Sequence, residues 1–384
     1  MSSAGKLLDG LVVLDFCNFL SGPFAALRLG DLGARVIKVE RSKGGDLCRK
    51  LYLSDTDDMS EDSTLFHTIN RGKESFAADL KNPDDMAAVK RLIGQADVLI
   101  QNFRPGVIQR LGLGYDDVRD INPRMVYATI TGFGDEGPWA ARPGQDLLAQ
   151  ARSGLMWLNG DADQGPLPFG LAIADVLAGG AIVQGVLAAL VKRGRTGKGT
   201  LVETSLLEVL IDFQFEVLTT HLNDGGRLPP RGNFRNAHAY LAAPYGIYPT
   251  SDGYLAIAMT PLDRLASLLD LPEIAGLGDE APFRQRDEIK RTIAKRVSVH
   301  TTDHWLSVLE PDDVWCAGVL DWEQLLAEEG FRKLDLLQSV SRHGAGGILT
   351  TRSPIRVDGV RASVENGGPA LGAHNESIRD EFRL

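Results

Sequence analysis

One acid in this chain lies where an acid is costly. Asp175 sits in Gly170-Leu-Ala-Ile-Ala-Asp-Val-Leu-Ala-Gly-Gly180, a run otherwise made of apolar and small residues. A carboxylate there must replace its lost hydration with partners, or occupy a cleft where its charge is used. Two readings stand side by side: an N-cap for a helix opening at Val176, and a nucleophile or base in a site. Cations offer a second kind of chemistry. Arg41, Arg71, Lys73, Arg104 and Arg110 fall in turns beside strand patterns, where a phosphate-bearing ligand would be held by bidentate Arg and where Phe103 could stack on a base. Each is equally compatible with a solvated surface cation.

Other chemistries are excluded by what is missing. The first strand-loop-helix turn holds Ser21-Gly-Pro23 and no G-x-G-x-x-G, which disfavours a dinucleotide oxidoreductase. Gly194-Arg-Thr-Gly-Lys-Gly199 lacks P-loop spacing and follows a helical pattern where a strand is required. No H-x₃-H or C-x₂-C spacing marks a metal site, so no metal is expected. The 3 cysteines, Cys17, Cys48 and Cys316, are too far apart for a disulfide framework and predict a reducing, cytoplasmic setting, with Cys17 a buried thiol. A net charge of −10 without a basic run argues against nucleic acid and anionic membranes. Met1–Gly10 does not read as a signal peptide. The longest apolar stretch, Ala172 to Val191, contains Asp175 and 3 glycines and reads as core.

The elements that must position these residues follow from periodicity. Leu11–Phe16 reads as a strand, Cys17–Gly22 as a loop, Pro23–Leu32 as a helix and Arg35–Glu40 as a second strand. Asp84–Gly94 and Val107–Leu113 read as helices, and Asp97–Gln101 and Met125–Thr131 as strands. Such alternation predicts an α/β fold with a parallel sheet, whose ligands gather where loops leave the strand ends. From Asp146 the pattern is mainly helical, with Leu201 to His221 read as one long helical stretch, broken by Asn223–Gly226 and Pro229-Pro230. Ser251-Asp-Gly253 marks a hairpin, followed by helices from Leu262 to about Glu310 and by strand and loop from Pro354 to Leu384.

Taken together, Leu8–Phe16, Ser21-Gly-Pro23, Leu32–Glu40, Asn102-Phe-Arg-Pro-Gly106, Ala174-Asp175, Thr196-Gly-Lys-Gly199, Pro244-Tyr-Gly246 and Asp252-Gly253 occur in an order that resembles the family III CoA-transferases. That family includes formyl-CoA transferase, carnitine CoA-transferase and the α-methylacyl-CoA racemases. The resemblance covers residues 8 to 260 strongly. It implies a large open Rossmann-like parallel-sheet α/β domain and a smaller α+β domain joined by long linkers, in an interlocked homodimer. The expected division is a CoA-binding domain over 1–200 with a return over 330–384, a linker helix over 201–225 and a small domain over 226–320.

The resemblance also implies roles. Asp175 matches the catalytic aspartate. Arg41, Lys73, Asn102, Phe103 and Arg110 match positions that contact CoA, and Asn18, Phe19, Leu20 and Ser21 match the loop at the thioester end. Coenzyme A enters as the acyl-CoA substrate, with a carboxylic acid as its partner and no tightly bound cofactor. The implied reaction is CoA transfer through an aspartyl anhydride and an enzyme-CoA thioester. A racemase would need a His-Asp pair where this chain has Gln145-Asp146, and glutamine cannot shuttle a proton. Asp146 either orients the site or caps a helix. An acyl-CoA hydrolase, or a binding protein that does not need Asp175, would keep the same cationic cleft. Leu20 stands where formyl-CoA transferase has glutamine, and Arg231–Tyr240 replaces its glycine run. Both departures point away from formate and oxalate, and Arg231, Arg235 and His238 are candidates to meet a dicarboxylic acid.

Overall fold

The structure, a computed structural model, describes residues 6–55, 57–342 and 345–384. Met1–Gly5, half of the stretch read as carrying no signal peptide, lie outside the described residues. The chain divides into two units, the first built from 1–152, 171–212 and 335–384 and the second from 153–170 and 213–334.

The first unit is a six-stranded sheet. Its strands are β1 (Val12–Asp15), β2 (Arg35–Arg41), β3 (Glu74–Ala78), β4 (Val98–Gln101), β5 (Val126–Thr131) and β6 (Thr200–Ser205), in the order β3-β2-β1-β4-β5-β6. All neighbours are parallel. The order reverses between β1 and β4, and loops leaving the two strands there diverge and open a crevice. Its helices are α1 (Ser21–Asp31), α2 (Thr64–Ile69), α3 (Pro83–Ile93), α4 (Val107–Arg110), α5 (Tyr115–Ile121), α6 (Asp146–Ser153, whose last residue starts the second unit), α7 (Leu155–Leu158, in the second unit) and α8 (Ile173–Thr196). Helices on both faces make the inner strands apolar throughout, as in Val98-Leu-Ile-Gln101, which is buried at every position. Leu14, Ile37, Phe76, Leu92, Leu99 and Tyr127 form the core of one face. By length and composition α8 could cross a membrane, yet it packs on α1, β5 and β6.

Three readings of the sequence change. Leu201–Ile211 is not the start of a long helix: Thr200–Ser205 is β6, followed by α9 (Leu206–Phe213) and α10 (Phe215–Asn223). The alternating Thr200, Val202 and Thr204 suit a strand, and pairing with β5 decides the matter. β3 is a strand that the alternation did not reveal. The C-terminal return ends in a helix rather than a loop.

The second unit carries the hairpin β7 (Gly246–Pro249) and β8 (Tyr254–Ile257), joined through Ser251-Asp-Gly253. Helices α11 (Leu262–Leu269), α12 (Ala281–Arg284), α13 (Arg286–Val297) and α14 (Thr302–Leu309), then β9 (Cys316–Gly318), pack around Trp305, Tyr248 and Leu265. α15 (Trp322–Ala327) and α16 (Glu329–Leu334) complete it. The chain then returns to the first unit through the β10 (Leu337–Arg342) and β11 (Ala345–Thr351) ribbon, the short β12 (Arg356–Val357) and β13 (Val360–Arg361) pair, and α17 (Asn375–Phe382).

Candidate active site

Asp175 lies in the first turn of α8, which opens at Ile173 with Ala172 in the cap position, so it is not the N-cap of a helix starting at Val176. The cap comes from another helix. Asp146 Oδ2 accepts the Ala174 N–H at 2.7 Å and the Asp175 N–H at 3.2 Å, while Oδ1 accepts from the Gln150 side chain at 2.6 Å. Gln150 is one turn along α6 from Asp146, the spacing that brings two side chains together, and it also reaches the Leu171 carbonyl at 3.3 Å. Asp146 therefore does cap a helix, and that helix carries Asp175. Two carboxylates face each other as a result. Burial, and next the charge of Asp146, push the Asp175 carboxyl from 3.8 up to about 6, against the opposing pull of the Ser21 hydroxyl and N–H, which both donate to it.

Ser21 is the first residue of α1, so its N–H is one of the donors that a helix leaves unpaired at its start. Gly179, one turn beyond Asp175, permits the approach: a Cβ there would sit 2.7 Å from the Ser21 carbonyl and 2.8 Å from the Phe24 ring. Gly180 faces open space and plays no such part. The loop before α1 is tied to the loop after β4. The Asn18 N–H donates to Asn102 Oδ1 at 2.9 Å, the Asn102 amide returns to the Asn18 carbonyl at 2.8 Å, and it lies 3.4 Å from Ser21 Oγ. The crossing sits at the reversal of strand order. Phe19 is exposed, and Leu20 packs with Leu27, Cys48, Phe66 and Ile69.

A cleft of 430 Å³ opens at the carboxyl ends of β1, β2 and β3, lined by Asn18, Arg41, Lys43, Lys81, Leu80 and Phe103 among others. Arg41 Nε and Nη2 hold the Gly45 carbonyl at 3.2 and 3.0 Å. Cations around an aromatic ring suit phosphates and a base. Lys43 and Lys81 were not singled out by the sequence. Lys81 follows β3, the strand that reading omitted.

Other expected residues are elsewhere. Lys73 is buried and spends its three donors on Asp15 at 2.8 Å, the Pro23 carbonyl at 2.9 Å and Asn70 at 2.8 Å, so no donor remains for a phosphate. Arg71 is likewise buried against Asp31. Both precede β3, yet the Lys73 ammonium reaches Asp15 at the carboxyl end of β1, beneath the Cys17 loop, where it is a buried support. Arg110 ends α4 exposed and does not line the cleft, and Arg104 lines a separate, acid-rich pocket with Asp116, Asp117 and Glu203. Gln145 is exposed just before α6.

Arg231, Arg235 and His238 belong to the second unit. Arg231 donates to the carbonyls of Asn159 and Ala162 and lies over Trp157. His238 Nδ1 accepts from the N–H groups of Tyr240 and Leu241, which leaves Nε2 facing Glu216 at 3.6 Å. Arg235 lies over the rings of Phe234 and Tyr254 and donates no hydrogen bond to the described residues.

Fold and site define the class: an α/β enzyme with a half-buried carboxylate near a cationic cleft at the switch point of a parallel sheet. The chain belongs to the CoA-transferase family III, whose family model matches residues 8–375. It is 32% identical to the succinyl-CoA:glutarate CoA-transferase of Mus musculus, over 98% of this chain and 86% of that one. It is 33% identical to the acetyl-CoA:oxalate CoA-transferase of Acetobacter aceti, over 97% and 95% of the two chains. Its structure matches that of a CAIB/BAIF family protein from Brucella suis with a TM-score of 0.84, at 31% identity, over 98% and 100% of the chains. The protein is a CoA-transferase that moves CoA to a carboxylic acid, with CoA as substrate.

Proposed function

We propose that the protein exchanges CoA between two carboxylic acids through Asp175, and that at least one is a dicarboxylate. The Asp175 carboxylate attacks the thioester carbonyl, the C–S bond breaks, and CoA leaves as thiolate, giving an aspartyl anhydride. The thiolate then attacks the aspartyl carbonyl, releasing the donor acid and leaving CoA on Asp175 as a thioester. The acceptor carboxylate reverses both steps and regenerates Asp175. The observation that carries this reading is the placement of Asp175: half-buried in the first turn of α8 and facing the Ser21 N–H that opens α1, a donor suited to an oxyanion on either carbonyl.

The acid is argued from relatives and from chemistry. Both relatives are named for dicarboxylic acids, glutarate and oxalate. Leu20 offers no hydrogen bond and turns into an apolar cluster, which favours an acid larger than oxalate. Gln145 weighs against the racemase reading because it cannot carry a proton. A homodimer in a reducing, cytoplasmic setting completes the proposal. Two chains of 41.6 kDa should sediment together, and sedimentation as a monomer at micromolar concentration contradicts the dimer.

The test is exchange from succinyl-CoA into a panel of mono- and dicarboxylic acids. Dicarboxylates should be preferred. Equal use of monocarboxylates refutes the dicarboxylate assignment. Exchange of the α-proton in deuterated water without CoA transfer replaces the reading by racemisation.

A further inference from the structure

The loop that presents Ser21 to Asp175 rests on buried charges which the proposed reaction does not use. Along β2 the side chains of Lys38 and Glu40 share a face, two residues apart, and that face lies under Cys17–Leu20. Lys38 is fully buried. Its ammonium donates to the Cys17 carbonyl at 2.9 Å and lies 2.8 Å from Asp46 and 3.5 Å from Asp15. Asp15 in turn accepts the Cys17 N–H at 3.0 Å. Asp46, also buried, accepts the Phe19 N–H at 3.1 Å and the Cys48 N–H at 2.8 Å through Oδ1.

Phe19 itself has φ of 64°. A bulky residue in the left-handed region costs roughly 1–2 kcal/mol and persists only where its surroundings hold it. The group that holds its N–H is Asp46, which is itself paired with the buried Lys38 ammonium at 2.8 Å. Two residues later the chain enters α1, and the Ser21 N–H and hydroxyl meet Asp175. If Phe19 relaxes to negative φ, the direction of the Ser21 N–H changes with it.

We infer that Asp46, oriented by Lys38, is a positioning residue for catalysis: it locks Phe19 in the left-handed conformation that aims the first N–H of α1 at Asp175. This rests on Asp175 being the nucleophile. The two carboxylates play different parts. Asp146, from α6, bonds the Asp175 N–H and acts on its carboxyl by charge, while Asp46 acts through the Phe19 backbone.

The experiment compares Asp46→Ala with Asp46→Asn, which keeps an oxygen in place for the Phe19 N–H. Asp46→Ala should lower kcat on the order of 10–100-fold with KM for acyl-CoA nearly unchanged, the loss expected when an oxyanion donor is misplaced. It should also shift the acid limb of the pH profile upward, because Ser21 donors hold the Asp175 pKa down. Asp46→Asn should restore most of kcat. A folded Asp46→Ala protein with wild-type kcat and acid limb overturns the inference. If that variant does not fold, Phe19→Gly and Phe19→Val carry the test. Glycine takes positive φ without strain and valine does not, so valine should fall at least tenfold below glycine in kcat; equal values overturn the inference. Acyl-CoA labelling of the wild type separates the two proposals. Absence of label on Asp175 defeats the nucleophile itself, whereas a labelled wild type beside an undiminished Asp46→Ala defeats only the role of Asp46.

Discussion

At the scale of residues, burial first and the charge of Asp146 next raise the free energy of an ionised Asp175, the Ser21 donors oppose them, and this has consequences for pH. The carboxyl titrates near 3.8 when unfolded and about 6 when folded. Below pH 3.8 both states are protonated and the group contributes nothing. Between pH 3.8 and 6 the unfolded state ionises while the folded state stays protonated, so stability falls across that window and the loss reaches up to about 3 kcal/mol above pH 6. Asp175→Asn should therefore raise Tm at pH 8 and leave it unchanged at pH 3.5, by calorimetry. Equal Tm at pH 8 means that the carboxylate is better solvated than its geometry implies. In the free wild-type enzyme, kcat/KM should fall about tenfold per unit below pH 6, as expected for one required base. Gln150→Leu, which strips Asp146 of a donor, should loosen its cap on the start of α8 and move that limb. Asp175 was legible because an acid in an apolar run has few explanations. Gln150 and Asp46 were not, since their roles depend on partners 4 and 27 residues away whose contacts form only in the fold. Lys73 misled for the same reason: its partner Asp15 is 58 residues earlier.

At the scale of elements, the site is a contact between the starts of α1 and α8, and Gly179 is its hinge point. Gly179→Ala places a methyl group 2.7 Å from the Ser21 carbonyl, a backbone atom that cannot swing aside. It should cost about 1–3 kcal/mol and reduce kcat at least tenfold. Gly180→Ala meets nothing within 4 Å and should stabilise the helix by up to about 1 kcal/mol with activity kept. Similar Tm and kcat for the two variants would show that the helices have room to part. The strand-loop-helix-strand start was readable because β1 is a short apolar run, β2 carries the β-branched Val36, Ile37 and Val39, and Gly and Pro signals lie between them. β3 and β6 were not: each mixes polar and small residues, and only pairing with a neighbour makes it a strand. The omission of β3 also hid that Arg71 and Lys73 lead into a strand and turn their cations inward, onto Asp31 and Asp15.

At the scale of the molecule, the order β3-β2-β1-β4-β5-β6 places the cleft without any glycine fingerprint, so the absent motif excluded a dinucleotide loop and not the crevice. The chain closes the sheet by returning to it. β3 is an edge strand, and its outward groups are met by His374, which accepts the Ser75 N–H at 3.1 Å, and by Asn375, which bonds the Ala77 N–H at 2.8 Å and the Ala77 carbonyl at 3.0 Å. Ile378 and Phe382 join the core below. Deleting residues 371–384 should expose that edge and yield an aggregating protein, while Asn375→Ala should cost about 1–2 kcal/mol by denaturant titration; a soluble truncation of wild-type stability contradicts this account. The α/β class was legible from alternation, but the interleaving of the two units was not. Residues 201–212 fall in the sheet unit rather than a linker, and 153–170 fall in the second unit, because unit membership is decided by packing between segments far apart in sequence. The most direct measurement for the central claim is peptide mass spectrometry after incubation with succinyl-CoA and hydroxylamine. The account predicts a hydroxamate on Asp175 in the wild type and its absence in Asp175→Ala, with turnover reduced on the order of 10⁴-fold or more. An unlabelled Asp175 in a protein that still transfers CoA would contradict it.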